Sequence, residues 1–249
     1  MSTTLVIQSH SLPSPADWIQ TCTDSVKLWS QQFGYEYKFI DDALFEFVPS
    51  KLLEKTKKQK TIATDLARLK VLQWYLDDGY ETVIWCDADF IIFNPTKFKL
   101  PDESYALGRE VWVQKHAKNS EKLSAHTKVH NAFMMYRKGN MFLDFYADTA
   151  ERLLLKNTGA MSPQFIGPKL LTALHNIALG PVLETAGMLS PLVIKDIVNG
   201  SGEALDLFLQ ESSHSIYAAN VCNSLYERGE YSTKMIQNCL QELISRQKL

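Results

Sequence analysis

The sequence predicts an α/β fold, a mainly parallel central sheet flanked by helices. Three observations carry this expectation. Leu5-Val6-Ile7 is an apolar run that ends at the polar Gln8-Ser9-His10. Residues 16–33 then place Trp18, Cys22, Val26 and Trp29 at helical spacing, and residues 35–40 alternate in strand fashion up to Asp41-Asp42. A strand, a helix and a second strand, with polar residues at both strand ends, suggest a parallel sheet. Further on, Ile62, Leu66, Leu69, Leu72 and Leu76 follow the helical period, and an apolar run, residues 82–86, comes directly after Asp77-Asp78-Gly79. Such a continuous run suits a buried strand.

The 249 residues, 45% of them hydrophobic, can bury a sizeable core. No repeat, low-complexity stretch or linker divides the chain, so residues 1–249 are expected to form one domain. A formal net charge of -2 argues against a general nucleic-acid binder. Met1 to Gln8 has neither a basic leader nor a long apolar segment, so neither a signal peptide nor a transmembrane span is expected. The four cysteines (Cys22, Cys86, Cys222, Cys239) form no CxxC pair and no metal-ligand spacing. Cys86 and Cys239 read as small core residues, and the expected location is the cytoplasm. Asn199-Gly200-Ser201 matches a glycosylation acceptor but is discounted without a secretion signal.

In chain order, Ser11 to Pro15 reads as a loop, and Gly34 ends the first helix. Residues 44–53 are mixed and interrupted by Pro49. Residues 51–60 carry five lysines, which read as a solvated loop or helix end before they read as a lid over a phosphate. Thr64 is expected to cap the next helix. Residues 105–113 supply one or two strands, 114–127 an exposed excursion, and 129–136 a strand with Asn131 near its start. Residues 140–155 form an amphipathic helix. Another helix runs from Ser162 to Asn176 with Gly167-Pro168 in its early turns. Residues 180–190 read as a loop, 192–198 as a strand and 214–220 as a short strand. Met235, Ile236, Cys239, Leu240, Leu243 and Ile244 stripe the last helix.

The chemistry centres on Asp87-Ala88-Asp89, where one apolar run ends and another begins. Ionised carboxylates are costly at the end of a buried strand unless something pairs with them. Ligands of open α/β sheets bind just beyond the carboxyl ends of the strands. Asp87 and Asp89 therefore fall where a divalent cation and an anionic substrate could meet. Asp65 and Arg68, three residues apart, share a helix face near its start. Alone they would be an ordinary surface pair; beside Asp87 and Asp89 they become site candidates.

Residues 63–68, Ala-Thr-Asp-Leu-Ala-Arg, a helix to Gly79, and then Trp85-Cys86-Asp87-Ala88-Asp89 resemble the D-L-x-R … D-x-D signature of glycosyltransferases of the A-type fold, in the group whose sugar-binding region contains the DXD motif. Residues 131–135, the Gly167-Pro168 pair and His214 resemble later elements of that group. The resemblance implies one GT-A-like domain with a Rossmann-like sheet. It also implies Mn²⁺ or Mg²⁺, hard cations suited to oxygen ligands, and a nucleotide-sugar donor carrying UDP or GDP. The sugar would pass to a glycan, lipid or protein acceptor, with retention of anomeric configuration. By the same resemblance Asp89 binds the metal, while Asp87 holds the ribose or a metal-bound water. His214 is the candidate third ligand, ahead of Asn220 and Asn223, and reads equally as a hydrogen-bonded histidine near a strand end. Asp65 and Arg68 face the donor sugar, Gln8, Ser9 and His10 line the nucleotide pocket, and Asp41 contacts the base. Asn131 and Gly167 stand on the acceptor side.

Other classes share parts of this pattern. A phosphatase of the haloacid-dehalogenase type also uses Asp-x-Asp at a strand end, but with the motif on its first strand and a threonine where this chain has Ile91. A non-catalytic nucleotide-sugar-binding or interaction protein would share the fold without turnover.

Overall fold

The chain first lays down two neighbouring strands at one side of a sheet. In the computed structural model, which describes residues 3–14 and 16–249, β1 (Thr4–Ser9) leads through α1 (Asp17–Gln32) to β2 (Glu36–Ile40), which lies parallel to it. A 3-10 helix (Asp42–Phe47), α2 (Ser50–Thr56) and α3 (Lys60–Asp77) return the chain to β3 (Thr82–Cys86), parallel to β1 on its other side. After β4 (Phe90–Ile92) come a long antiparallel hairpin of β5 (Tyr105–His116) and β6 (Asn119–Arg137), then α4 (Met141–Lys156), α5 (Pro168–Ala178) and β7 (Val182–Leu183). The main sheet has the order β2-β1-β3-β6-β5-β7. The β1–β2, β1–β3 and β5–β7 pairings are parallel, and β3–β6 and β5–β6 are antiparallel. The expected α/β class, with a mostly parallel sheet flanked by helices, stands.

The remaining elements are β8 (Ala186–Met188), α6 (Pro191–Asn199), α7 (Glu203–Glu211), β9 (Ala218–Asn220), α8 (Asn223–Tyr226) and α9 (Thr233–Arg246). A second sheet of three strands has the order β4-β9-β8. Asp87, Ala88 and Asp89 are the connection between β3 of the large sheet and β4 of the small one.

Side-chain alternation divides the main sheet between two cores. Leu5, Ile7, Val83, Trp85, Met134 and Tyr136 pack towards α3 and α4. Val6, Ile84, Cys86, Phe133 and Met135 pack on the other face with Val26 and Trp29 of α1. A third cluster joins the small sheet to α6, α7 and α9. Each fully buried large apolar side chain contributes about 1.5–3 kcal/mol. α3 is buried on most of its circumference, including Asp65 and Arg68, so this charged pair enters the interior with the helix.

Several local expectations are corrected. α3 starts at Lys60, so Thr64 is interior and donates to the Lys60 carbonyl. The lysine-rich stretch is α2, a short turn and the first residue of α3, which agrees with the helix-end reading. The excursion at 114–127 is the end of the β5–β6 hairpin. Residues 180–190 contain two short strands. Residues 192–198 are helix, because Pro191 at the first helical position presets the backbone for α6. The Gly167-Pro168 pair begins α5 instead of lying inside it. Met1, Ser2 and Pro15, which belong to the N-terminal and loop expectations, lie outside the described residues.

Candidate active site

Asp87 and Asp89 open onto a cleft of about 570 Å³ between the two sheets, and Ser9, His10, Asp65, Arg68 and Asn131 line it with them. The turn carrying the two aspartates is tied down by its backbone. Asp87 N–H donates to the Ala132 carbonyl at 2.8 Å, Phe90 N–H to the Asp87 carbonyl at 3.0 Å, and Val221 N–H to the Asp89 carbonyl at 3.0 Å. Gln8 is fully buried behind the turn. Its amide donates to the Asp87 carbonyl at 3.0 Å and accepts from the Tyr37 hydroxyl at 3.1 Å. The residue expected in the nucleotide pocket is thus a support of the turn, and the cleft lining begins at Ser9.

Arg68 is the buried cation of the cluster. It stands 3.2 Å from Asp87 and 3.4 Å from Asp65, donates to the Asn131 carbonyl at 3.0 Å, and lies 5.3 Å from the centre of the Trp85 ring. Burial opposes its charge, but Asp87 and Asp65 more than offset that and raise its pKa. The Trp85 indole donates to Asp87 Oδ1 at 2.6 Å. Residues two apart on a strand share a face, and this pairing of Trp85 with Asp87 was the signal available for a residue the sequence reading passed over.

Asp65 accepts from the Asn131 amide at 2.9 Å through Oδ1, while its Oδ2 is buried without a partner. Burial is the largest influence and lifts its pKa to about 6; Arg68 and Asn131 lower it, and Asp87 raises it again. Asn131 reaches Asp65 through an irregularity in the hairpin. Leu107 pairs with Met134 but Gly108 pairs with His130, so one step along β5 spans four along β6. Bulges of this kind re-aim side chains beside functional sites. Asn131 therefore belongs to the Asp65–Arg68 network. Gly167 is there too, behind the carboxylate: a Cβ on it would lie 2.1 Å from Asp65 Oδ2. The Tyr146 hydroxyl fixes that approach by donating to the Ile166 carbonyl at 2.9 Å.

Asp89 meets the small sheet. Its Oδ1 accepts from the Asn220 amide at 2.6 Å and its Oδ2 from the Asn223 backbone N–H at 2.5 Å. Burial, then the charge of Asp87, raises its pKa to about 6, and these hydrogen bonds hold it lower than it would otherwise be. Cys222, at φ 57°, takes the left-handed backbone region between the two asparagines. That conformation costs a non-glycine residue roughly 1–2 kcal/mol. The Asn223 side-chain Oδ1 is buried and unpartnered.

His214 is not brought to this cluster. It is exposed, with Nδ1 3.1 Å from the Ser213 hydroxyl, and its charge acts on Glu184. Asn220 and Asn223 stand beside Asp89 instead, which reverses the expected order of third-ligand candidates. Asp41 is also outside the cleft lining; its carboxylate caps the 3-10 helix by accepting from Ala43 N–H at 2.9 Å. Among the described residues no group of three or more His, Cys, Asp and Glu side chains is arranged to hold a metal ion. Asp87 and Asp89 share the cleft lining with Asn223, whose side-chain Oδ1 is unpartnered. Two carboxylates, one with a raised pKa, and an unpartnered amide oxygen form a donor set that suits a hard divalent cation.

No family model matches the chain, and no curated protein matches its sequence. Among solved structures the fold resembles that of a glycosyltransferase involved in the glycosylation of the major capsid of PBCV-1. The TM-score is 0.50 at 12% identity, covering 94% of this chain and 99% of that one. A galactosyltransferase, LgtC, crystallised with donor and acceptor sugar analogues, aligns with a TM-score of 0.42 at 11% identity over 95% of both chains, too loosely to carry weight. The chain therefore shares its fold with the PBCV-1 capsid glycosyltransferase. No helix among the described residues is long and apolar enough to cross a membrane.

Proposed function

We propose that the protein is a glycosyltransferase that moves a sugar from a UDP- or GDP-sugar to an acceptor hydroxyl, with Mn²⁺ or Mg²⁺ and with retention of configuration. The observation that carries this reading is the gathering of Asp87, Asp89, Asp65 and Arg68 on one cleft at the end of β3. Asp89 and Asp87 would hold the cation, with Asn223 Oδ1 as an available third oxygen. Bound there, a divalent cation would neutralise the diphosphate leaving group as a Lewis acid.

The chain's own residues supply orientation. Arg68 offers its remaining donor capacity to a phosphate or a sugar hydroxyl, since its guanidinium carries five N–H groups. Asp65, whose Oδ2 is buried against Gly167, faces the donor sugar through Arg68, which it holds in place. Ser9 and His10 border the nucleotide. In the transfer, the bond from the anomeric carbon to the diphosphate breaks, and the acceptor oxygen bonds to the same face. The acceptor's proton passes to the departing phosphate oxygen.

A second reading is a nucleotide-sugar-binding protein without turnover. It is favoured by the engagement of both Asp89 oxygens by donors of the chain itself. Thermal shift with UDP and GDP, with and without Mn²⁺, tests the site. Metal-dependent stabilisation that disappears in Asp89→Asn supports it, and equal binding by the variant overturns it. Release or transfer of sugar from nucleotide sugars in a screen separates the enzyme from the binder.

A further inference from the structure

Beyond Asn131, the wall of the cleft formed by β5 and β6 stands apart from the hydrogen-bonded cluster around Arg68. Along β5, Val111 and Val113 are buried in the core shared with the small sheet, while Glu110, Trp112 and Gln114 line the cleft. Lys128 lines it from β6, directly opposite Glu110 in the strand register. Among the described residues the side chains of Glu110, Trp112 and Lys128 close no hydrogen bond or ion pair with the rest of the chain. The wall therefore presents one broad aromatic surface, an amide, a carboxylate and an ammonium. Lys128 partly offsets the effect of burial on Glu110, whose carboxyl is raised.

We propose that this wall is the acceptor platform and takes a neutral hexopyranose: the C–H face of the sugar lies on Trp112, and Glu110 accepts a hydrogen bond from the attacking hydroxyl. This rests on the glycosyltransferase reading of the cleft. Apolar and aromatic surface with a few convergent polar groups is the usual make-up of a small-molecule site, and an aromatic ring provides large contact area at little entropic cost. Cleft-facing residues two apart on a strand stand roughly 7 Å from one another. A single ring over Trp112 therefore has hydroxyls within reach of Glu110 on one side and Gln114 on the other. Glu110 is at the inner end: its charge acts on Cys222, the residue next to Asn223, which donates to Asp89. The order from the aspartates outward is carboxylate, aromatic, amide. Glu110 and Lys128 cancel in net charge, so the wall has no excess positive charge to attract an anionic sugar. Glu110 orients the hydroxyl by accepting its hydrogen bond, while the proton leaves with the departing phosphate.

The test is saturation-transfer NMR of the full chain, loaded with UDP and Mg²⁺, against methyl glycosides of galactose, glucose and mannose, with glycerol and a Ser/Thr peptide as non-sugar acceptors. At least one hexoside is expected to bind, with affinity falling tenfold or more in Trp112→Ala and about fivefold in Glu110→Gln. Trp112→Phe should stay within threefold, and the affinity for UDP–Mg²⁺ within twofold in every variant. Hexoside binding untouched by Trp112→Ala overturns the proposal, as does binding of the peptide or glycerol but of no hexoside. If UDP and GDP fail to bind with metal, the glycosyltransferase reading fails by itself. Hexoside contact measured without nucleotide then decides whether the Trp112 wall binds sugar at all.

Discussion

The two sides of the cleft are built on opposite principles. On the α3 side, Asp65, Arg68, Asp87 and Asn131 are interlocked through hydrogen bonds and ion pairs, and all but Asp87 are nearly or fully buried. On the hairpin side, Glu110 and Trp112 are half-buried and Lys128 is exposed, and among the described residues their side chains are uncommitted. A network of fixed charges in low dielectric is preorganised and intolerant of change. A wall of open side chains can exchange residues with little cost to the fold. The difference suggests that a shared, demanding ligand meets the first side and a more variable one the second.

The sharpest way to break the contrast is Arg68→Met. It leaves buried Asp65 and half-buried Asp87 without their cation, and removing one partner of a buried pair costs about 3–5 kcal/mol. Urea denaturation should show a loss of that size.

His130 tests how the hairpin is anchored. It is fully buried, donating through Nε2 to the Ala186 carbonyl at 3.1 Å and accepting from Ala132 N–H through Nδ1 at 3.2 Å, so it joins β6 to β8. Burial, only partly countered by its backbone hydrogen bonds, lowers its pKa to about 4. A histidine held below its unfolded value of about 6.5 gives stability that is present above pH 6.5 and lost as pH falls through 4. The stability of wild type relative to His130→Gln should therefore drop by about 3 kcal/mol between pH 7 and pH 4. Taking the difference cancels the opposite trend from Asp65 and Asp89. A flat difference would mean that the ring is already charged.

Gly167→Ala presses a methyl group onto Asp65 and should cost about 1–3 kcal/mol. It should also weaken nucleotide binding by displacing the carboxylate. Smallest of all, Trp112→Ala and Glu110→Gln should change unfolding free energy by no more than about 0.5 kcal/mol, read in the same urea titration. A large loss there would show that the hairpin wall is structural after all.

Much of this was legible in the sequence because it depended on local pattern. The β1–α1–β2 unit, the period of α3 and the carboxylates after Cys86 are all encoded within a few residues of themselves. What escaped depended on contacts distant in the chain. The partners of Asp89 come from residues 220 and 223, more than 130 positions away, and no local pattern marks Asn223 above His214. Asp41 looked like a ligand because it ends a strand, yet an aspartate there can equally cap the helical turn that follows. Residues 192–198 are β-branched and apolar enough to suit a strand, and only Pro191 signals the helix. Gln8 was expected to face the cleft because it ends the first apolar run. The sheet instead buries it against Asp87, and the lining starts one residue later.

The close approach of Gly167 to Asp65 has a consequence for how this protein could have diverged. With Oδ2 occupying the space where a Cβ would sit, position 167 cannot acquire a side chain without displacing the Asp65 carboxylate that Asn131 holds. Nor can position 65 lengthen to glutamate without pushing against the same backbone. The two positions, 102 residues apart in the chain, form one heritable unit: a lineage that lost the carboxylate would be free to lose the glycine, and one that kept it would be bound to keep both.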